Sequence, residues 1–239
     1  MRARQRHFNA KDAGASCVYD ARYITGLANN DAVSTWSSRT GTNDATQGTA
    51  ANRPVYKTNQ FNGNPVVEFD GTNDRLEFSK LNASAAWALC VVKRTSTNTY
   101  QQIFNVENTA GNNSTFGAAV HNDASYGPVI FGSGGSGSTL WAKGSSLRNN
   151  DWRSLYLVWL GGGTSGTSFY NGWDDGVSFA LTNSGTVGAT VKTTSFIGLD
   201  SGSWGGQMAQ LVFAMTSSTN SIRKRVSHAA AYSFKLASS

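Results

Sequence analysis

The sequence predicts an all-β protein, folded as a two-sheet antiparallel jelly-roll sandwich with a short C-terminal helix. The first observation is that apolar residues recur in short runs, several of which alternate with polar residues as in half-buried strands. The second is that turn-forming residues separate these runs. Gly, Ser, Thr and Asn together make up 99 of the 239 residues. Short strands at near-regular spacing, joined by such turns, are typical of a β sandwich or jelly roll.

The strand pattern can be followed along the chain. The most apolar run, residues 87–93, predicts a central strand. Residues 65–69 and 75–78 flank Asp70-Gly71 and predict a hairpin, and Asn171-Gly172 predicts a second hairpin turn after a strand at 167–170. Further short strands are predicted at 102–106, 116–120, 128–131, 139–141, 152–160, 191–199 and 207–214.

One helix is predicted, over residues 221–236. Ile222, Val226, Ala229, Ala230 and either Ser233 or Phe234 form an apolar stripe at helical spacing, and a residue in 218–221 supplies the N-cap. The Gly/Ser-rich run at 132–137 is interpreted as a flexible loop. We therefore predict two parts: a basic N-terminal arm over residues 1–16 and one β domain over residues 17–239.

Composition excludes several classes of protein. Hydrophobic residues make up 39% of the chain, with 7 Trp, 8 Tyr and 12 Phe, which is enough for a core and excludes a disordered chain. No apolar run is long enough for a membrane-spanning helix, and no apolar segment typical of a signal peptide follows the basic start. Two cysteines, Cys17 and Cys90, are not a disulfide framework, and reduced, half-buried thiols are expected.

The net charge is +6, concentrated near the two ends. No helix-turn-helix, zinc-finger or aromatic-basic motif accompanies it, so a nucleic-acid partner is not expected. The basic side chains predict docking onto an acidic protein surface instead. The residues concerned are Arg2, Arg4, Arg6, Arg223, Lys224 and Arg225. For the helix residues the simpler alternative is a solvated face, and for the arm it is a frayed terminus.

Several segments resemble the concanavalin A-like lectin/glucanase superfamily, and the laminin G-like jelly-roll domains of bacterial and phage proteins in particular. They are VYDAR at 18–22, VSTW at 33–36, RTGTNDATQ at 39–47, ANRPVY at 51–56, NGNPVVEFDGTNDRL at 62–76, FIGL at 196–199 and WGGQMAQL at 204–211, followed by the final helix. The resemblance extends over residues 17–236 and implies a two-sheet sandwich. This fold carries lectins, hydrolases and purely structural modules, so it does not assign a function.

The resemblance raises the question of glucanase activity. Retaining glucanases of this superfamily carry two glutamates and an aspartate at alternating strand positions, and Glu68 and Asp70 match the first two. Thr72 and Asn73 stand where the second glutamate is required, so no acid/base partner is present. The three histidines lie far apart and match no nucleophile or zinc motif. We therefore expect that the protein is not an enzyme.

Carbohydrate binding is the main alternative. Trp173 and Trp204 lie beside acidic residues in predicted loops, and with Tyr126 and Asp200 they form the candidate sugar site. Trp36, Trp87, Trp152 and Trp159 lie in apolar strand patterns and are expected in the core. Laminin G-like and lectin domains often bind Ca²⁺ through oxygen atoms of their loops, so the resemblance leaves Ca²⁺ as a possible cofactor. The candidate donors are Asp70, Asn73, Asp74, Asn122, Asp123, Asp174, Asp175 and Asp200.

These observations predict a non-catalytic binding or structural module. The preferred context is a phage virion, as a capsid decoration or fibre-type surface protein whose basic residues contact a larger protein assembly, such as a capsid. A lectin-type adhesion module at a cell surface or outside the cell is the second hypothesis, and a glucan hydrolase is the third and disfavoured one. No membrane insertion is expected, and assembly as a homo-oligomer stays open.

Overall fold

The computed structural model describes residues 14–81, 86–96, 100–107, 115–121, 128–133, 151–159, 170–174, 177–179, 194–198, 203–216 and 218–234. The strands are β1 (Cys17–Asp20), β2 (Thr35–Trp36), β3 (Ala45–Thr46), β4 (Val55–Phe61), β5 (Asn64–Asp70), β6 (Leu76–Phe78), β7 (Ala86–Arg94), β8 (Tyr100–Glu107), β9 (Thr115–His121), β10 (Pro128–Ser133), β11 (Trp152–Trp159), β12 (Tyr170–Asp174), β13 (Val177–Phe179), β14 (Ser195–Ile197) and β15 (Gly205–Ala214). The helix α1 is Asn220–Phe234.

The strands form two antiparallel sheets, as predicted. One sheet has the order β13-β12-β11-β7-β15-β5-β4, with β1 as an eighth strand, and the other has the order β10-β9-β8-β14-β6-β3-β2. β1 and β5 lie on the same side of β15: β5 pairs with its first half and β1 with its second half. A register shift between Met208 and Gln210 affects the pairing of β15 with β7. The predicted all-β sandwich is confirmed.

The core lies between the two sheets. β7 is central in the larger sheet, as predicted, and eight of its nine residues are buried. Tyr19, Phe78 and Phe213 contact one another at ring-centroid distances of 5.8 to 6.0 Å, and Phe104 adds a contact of 4.7 Å to Phe213. Burying each such ring contributes about 2–3 kcal/mol to folding, so these four rings fix the distance between the sheets.

Both cysteines point into this core. Cys17 and Cys90 are free thiols, as expected, but each is completely buried where the sequence suggested half-buried side chains. Burial raises the pKa of both thiols. The reason is that both lie at inward positions of strands that pair with β15, where alternation directs side chains between the sheets.

Helix α1 packs on the outer face of the larger sheet. Thr219 caps it: the side-chain Oγ1 accepts a hydrogen bond from Ile222 N–H at 3.2 Å. Val226 and Phe234 are buried against the sheet, and Ile222 packs beside them, which confirms these members of the predicted stripe. Among the described residues, no helix combines the length and the apolar character that a membrane crossing needs.

The predicted hairpin around Asp70-Gly71 is wrong. β5 pairs with β4 and β15 in the larger sheet, whereas β6 pairs with β3 and β14 in the smaller sheet. The turn carries the chain from one sheet to the other. Both strands have an inward apolar face, with Phe69 on one and Leu76 and Phe78 on the other. Two apolar strand faces can be buried in either of two ways: the strands face each other across the core, or they pair side by side in one sheet. The local sequence does not distinguish these two arrangements.

The second hairpin prediction is also wrong. Asn171 and Gly172 lie inside β12 and pair with Val158 and Leu157 of β11. Gly172 also pairs with Phe179 of β13 on the other side. Pairing of both residues with β11, and of Gly172 with β13 as well, holds this dipeptide extended, which overrides its local turn preference. The predicted loop at 132–137 is wrong at its first two residues, since Gly132 and Ser133 belong to β10 and pair with Phe116 and Thr115 of β9. Residues 134–137 and the predicted strand at 139–141 lie outside the described residues.

Candidate ligand-binding site

The outer face of the larger sheet carries a row of polar side chains and one tryptophan. Trp152 of β11 pairs with Lys93 of β7, Lys93 with Gln207 of β15, and Gln207 with Glu68 of β5. Directly paired residues place their side chains on the same face, about 5 Å apart. We call these four residues the Trp152 row. Trp152, Lys93 and Glu68 are partly exposed, and Gln207 is buried between its neighbours.

A hydrogen-bond network orders one half of the row. Gln207 Nε2 donates to Glu68 Oε2 at 2.6 Å, and it lies 3.4 Å from Gln60 Oε1. Lys57 Nζ lies 3.5 Å from Glu68 Oε1 and also donates to Asn30 Oδ1 at 2.8 Å. Both carboxylate oxygens of Glu68 therefore have a partner within the protein.

Stacked aromatic rings support the other half. The ring of Trp152 lies 4.0 Å from that of Phe61 at an interplanar angle of 14°, and Phe61 stacks in turn on Phe234 of α1 at 5.5 Å. Asn62 Nδ2 donates to Phe234 O at 2.6 Å and ties β4 to the end of the helix. Trp152 thus forms a supported, partly exposed ring beside Lys93.

Trp152 was expected in the core. It is partly buried and packs, on the outer face of the larger sheet, against the apolar cluster that contains Phe61, Trp87 and Phe234. It is the first residue of β11, and part of it stays exposed. The sequence signal that could have identified it is its place at the polar end of an apolar run, directly after Asp151. Trp36 and Trp87, by contrast, are completely buried as predicted. The side chain of Trp159 is not among those that the structure describes.

Trp204 is not available to a sugar. Its side chain is completely buried and belongs to the core between the sheets, where Gly206 approaches its ring. The apolar core draws this ring inward just before β15, so the predicted sugar contact at Trp204 is wrong. Tyr126 and Asp200, which were predicted with it, lie outside the described residues.

Trp173 is partly exposed, and the side chains of Arg223 and Tyr156 pack against its ring. The guanidinium Cζ of Arg223 lies 4.6 Å from its ring centroid, and Tyr156 packs edge-on at 5.9 Å. Burial raises the pKa of Tyr156 to about 12, and its hydroxyl lies 2.7 Å from Ser218 Oγ. A sugar contact at Trp173 stays a prediction, since part of the ring is still exposed.

The basic residues predicted to dock a partner lie in different surroundings. Arg223 is half-buried over Trp173, whereas Lys224 and Arg225 are exposed on α1. Arg2, Arg4 and Arg6 lie outside the described residues. Docking onto an acidic surface stays a prediction for all of them, and Arg223 also has a packing role within the chain.

The carboxylates of Glu68 and Asp70 have different hydrogen-bond partners: Glu68 belongs to the network of the Trp152 row, and Asp70 binds backbone N–H groups of a turn. Asp70 Oδ1 accepts hydrogen bonds from the backbone N–H groups of Thr72, Asn73 and Asp74 at 2.7, 3.1 and 3.3 Å. Asp74 Oδ2 accepts in return from Asp70 N–H at 2.9 Å. Burial raises the pKa of Asp74 to about 6, against the lowering effect of that hydrogen bond. Asp70 and Asp74 thus lock the turn that joins the sheets.

Calcium binding stays a prediction. Within the described ranges, no group of three or more His, Cys, Asp or Glu side chains has metal-binding geometry. Among the residues that the structure describes, Asn73 Oδ1, in the same turn as Asp70 and Asp74, is a buried acceptor with no hydrogen-bond partner. The candidates Asn122, Asp123, Asp175 and Asp200 lie outside the described residues, and the side chain of Asp174 is not described.

The chain matches no protein-family model and no curated protein. Its fold is similar to that of domain 4 of AbnA, a GH43 extracellular arabinanase from Geobacillus stearothermophilus, in complex with arabinotriose (TM-score 0.56, 13% identity, 90% of this chain and 98% of that domain). It is also similar to Trypanosoma rangeli sialidase in complex with sialic acid (TM-score 0.56, 12% identity, 90% of this chain and 33% of that chain). The same enzyme in complex with the inhibitor DANA gives a TM-score of 0.55 at 12% identity, over 89% of this chain and 32% of that chain. The chain spans about a third of the sialidase chains. What the likenesses establish is a shared β-sandwich fold.

Proposed function

We propose that the protein is a non-catalytic carbohydrate-binding module whose ligand lies along the Trp152 row. The observation that carries the proposal is the row itself: a supported, partly exposed indole ring adjoins Lys93, Gln207 and Glu68 on one sheet face. Sugars have an apolar face of C–H groups and a rim of hydroxyl groups. The ring suits the apolar face, and the three polar side chains suit the hydroxyl groups.

The fold supports the same proposal at a coarser level. The arabinanase domain that shares the fold over 98% of its length is in complex with arabinotriose. The likeness brings only the sandwich to this chain, so the choice of the Trp152 row rests on its own residues. The superfamily and the laminin G-like branch, which the sequence motifs suggest, belong to the proposal as well.

Absence of catalysis is part of the proposal. A retaining glycosidase needs two carboxyl groups about 5–5.5 Å apart. Glu68 is engaged by Lys57 and Gln207, and the Oδ1 atom of Asp70 receives three backbone N–H groups. Asp74 is the carboxyl group beside Asp70, and hydrogen bonds to backbone N–H groups use both of them to hold the turn.

The test is a glycan-array screen followed by calorimetry with Trp152→Ala. We expect the wild-type protein to bind a defined oligosaccharide without releasing reducing ends, and Trp152→Ala to bind it about tenfold more weakly, since loss of one ring contact is worth about 1.4 kcal/mol. Tyr23→Ala is the matched control, because Tyr23 is an exposed ring (55%) outside the row. Thermal melts verify that both variants fold.

Two results would contradict the proposal. Equal affinity of Trp152→Ala and wild type would remove the row as the site. Hydrolysis of the bound glycan that is lost in Glu68→Gln would establish an enzyme. Repeating the screen with EDTA tests whether Ca²⁺ takes part.

A virion surface is the more specific setting that we propose for this module. Its support is the low content of charged residues, 14%, in a chain rich in Ser, Thr, Gly and Asn, together with the exposed basic pair Lys224 and Arg225. Mass spectrometry of purified particles of a phage that encodes the chain tests this setting. Particles that lack the chain would rule it out.

A further inference from the structure

We infer that the ligand of the Trp152 row carries a carboxylate, and that it is a uronate-containing glycan bound through Lys93. The inference rests on the proposed function, because it names the class of sugar for the same site.

Lys93 and Glu68 differ in how their charges are compensated. Glu68 has Lys57 Nζ at 3.5 Å and Gln207 Nε2 at 2.6 Å. Lys93 forms no ion pair or side-chain hydrogen bond with any residue of the described ranges. Asp151, the acidic residue nearest to it in the register, is exposed and forms no ion pair with it. The ammonium group is therefore the uncompensated charge of the row.

The position of Lys93 strengthens the electrostatic interaction of its ammonium group with a ligand charge. The residue is partly buried between Trp152 and Gln207, where a charge is less screened than on an open surface. A neutral sugar against Trp152 would remove water from Lys93 without replacing it by a counter-charge, whereas a carboxylate would pair with the ammonium.

Gln207 supplies the second point of recognition. Its Nε2 faces two acceptors, Glu68 Oε2 and Gln60 Oε1, which fixes the orientation of the amide. Gln60 is itself oriented by its donation to Thr58 O at 3.0 Å. Gln207 Oε1 has no hydrogen-bond partner within the described part of the chain, so it is an acceptor for a ligand hydroxyl. A carboxylate, a nearby hydroxyl and an apolar sugar face together describe a uronate residue.

The experiment compares oligogalacturonate with its methyl ester by calorimetry at 50 and 300 mM NaCl. The ester has the same ring and hydroxyl groups but no charge. We expect oligogalacturonate to bind at least tenfold more tightly than the ester, and Lys93→Gln to remove this preference. Lys80→Gln is the control, since Lys80 follows β6 in the other sheet and the variant has the same change in net charge; we expect its affinity to stay within twofold of wild type.

The outcomes separate the inference from the proposed function. Equal binding of acid and ester overturns the inference and leaves a glycan-binding module. Equal weakening by Lys93→Gln and Lys80→Gln, together with binding of dextran sulfate that is lost at 300 mM NaCl, also overturns it, because the attraction is then a general effect of net charge. Binding of no neutral or acidic glycan by wild type overturns the proposed function and the inference together.

Discussion

The guanidinium group of Arg223 lies over the indole ring of Trp173, with Cζ 4.6 Å from the ring centroid. The contact joins helix α1 to β12. It also joins a residue expected to dock a partner to one expected to bind sugar. Tyr156 completes the cluster from β11, with its ring edge-on to Trp173. The contact shows that at least part of each side chain serves to hold the helix on the sheet.

A double-mutant cycle measures this relationship. We expect Trp173→Ala and Arg223→Ala each to lower the free energy of unfolding, and their coupling energy to be about 0.5–1 kcal/mol, as for a partly exposed cation–π pair. Urea unfolding of the four proteins gives the number. Lys224→Ala, at an exposed position of the same helix, serves as the control. A coupling energy of zero would mean that the contact contributes nothing to stability.

Trp204→Ala tests the assignment of that residue to the core. Because the side chain is completely buried, its removal leaves a cavity, and we expect a loss of about 3–5 kcal/mol in the free energy of unfolding. Trp204→Phe keeps most of the volume and should cost less. Chemical denaturation is the measurement. A loss below about 1 kcal/mol for the alanine variant would place the ring outside the core.

Gly198→Ala tests the close approach of the two sheets beside the Asp70–Asp74 turn. Gly198 has φ +98°, and a Cβ there would lie 2.5 Å from the ring of Phe69 and 3.0 Å from the carbonyl oxygen of Asp74. We expect a loss of more than about 2 kcal/mol from strain and overpacking. Gly48→Ala is the matched control, since no atom lies within 4 Å of a Cβ at that site. Similar thermal melting temperatures for the two variants would contradict the close packing.

Asp74→Asn tests the pH dependence of the turn. Burial raises the pKa of Asp74 in the folded protein to about 6, against about 3.9 in an unfolded chain. Between these values the folded state binds more protons than the unfolded state, so this carboxyl group makes stability fall as the pH rises from about 4 to about 6. Above about pH 6 the full penalty is present.

The amide that Asp74→Asn introduces keeps an oxygen that can accept the hydrogen bond from Asp70 N–H, while the charge is gone. We therefore expect Asp74→Asn to be more stable than wild type at pH 7.5 by about 1 kcal/mol, after allowance for solvent screening, and nearly equal to it at pH 4. Urea unfolding at the two pH values checks this. Asp151→Asn controls for the loss of one exposed charge. A variant less stable than wild type at pH 7.5 would show that the ionised carboxylate stabilises the turn.

The strand runs and the helix could be predicted because their signals are local. Apolar alternation depends on residues two apart, and the stripe of Ile222, Val226 and Phe234 depends on one helical period. Local signals do not say which strand a segment pairs with. The segments on either side of Asp70-Gly71 were therefore predicted as hairpin partners, although they belong to opposite sheets.

The candidate site was missed for a related reason. Trp152, Lys93, Gln207 and Glu68 are far apart in the chain, and only their pairing across four strands makes them neighbours. The sequence alone favoured tryptophans beside acidic residues, because that arrangement is visible within a few positions. One of these, Trp204, is completely buried.

The sequence by itself determined the all-β class, the central strand, the terminal helix and the supply of large rings for a core, while the N-cap stayed open among residues 218–221. These properties follow from periodicity and composition, which act over a few residues. The tertiary structure decided which strands pair, which tryptophans face inward, and which polar side chains meet on one face. Those outcomes depend on non-local burial, since a side chain turns inward only where another sheet or the helix is present to cover it.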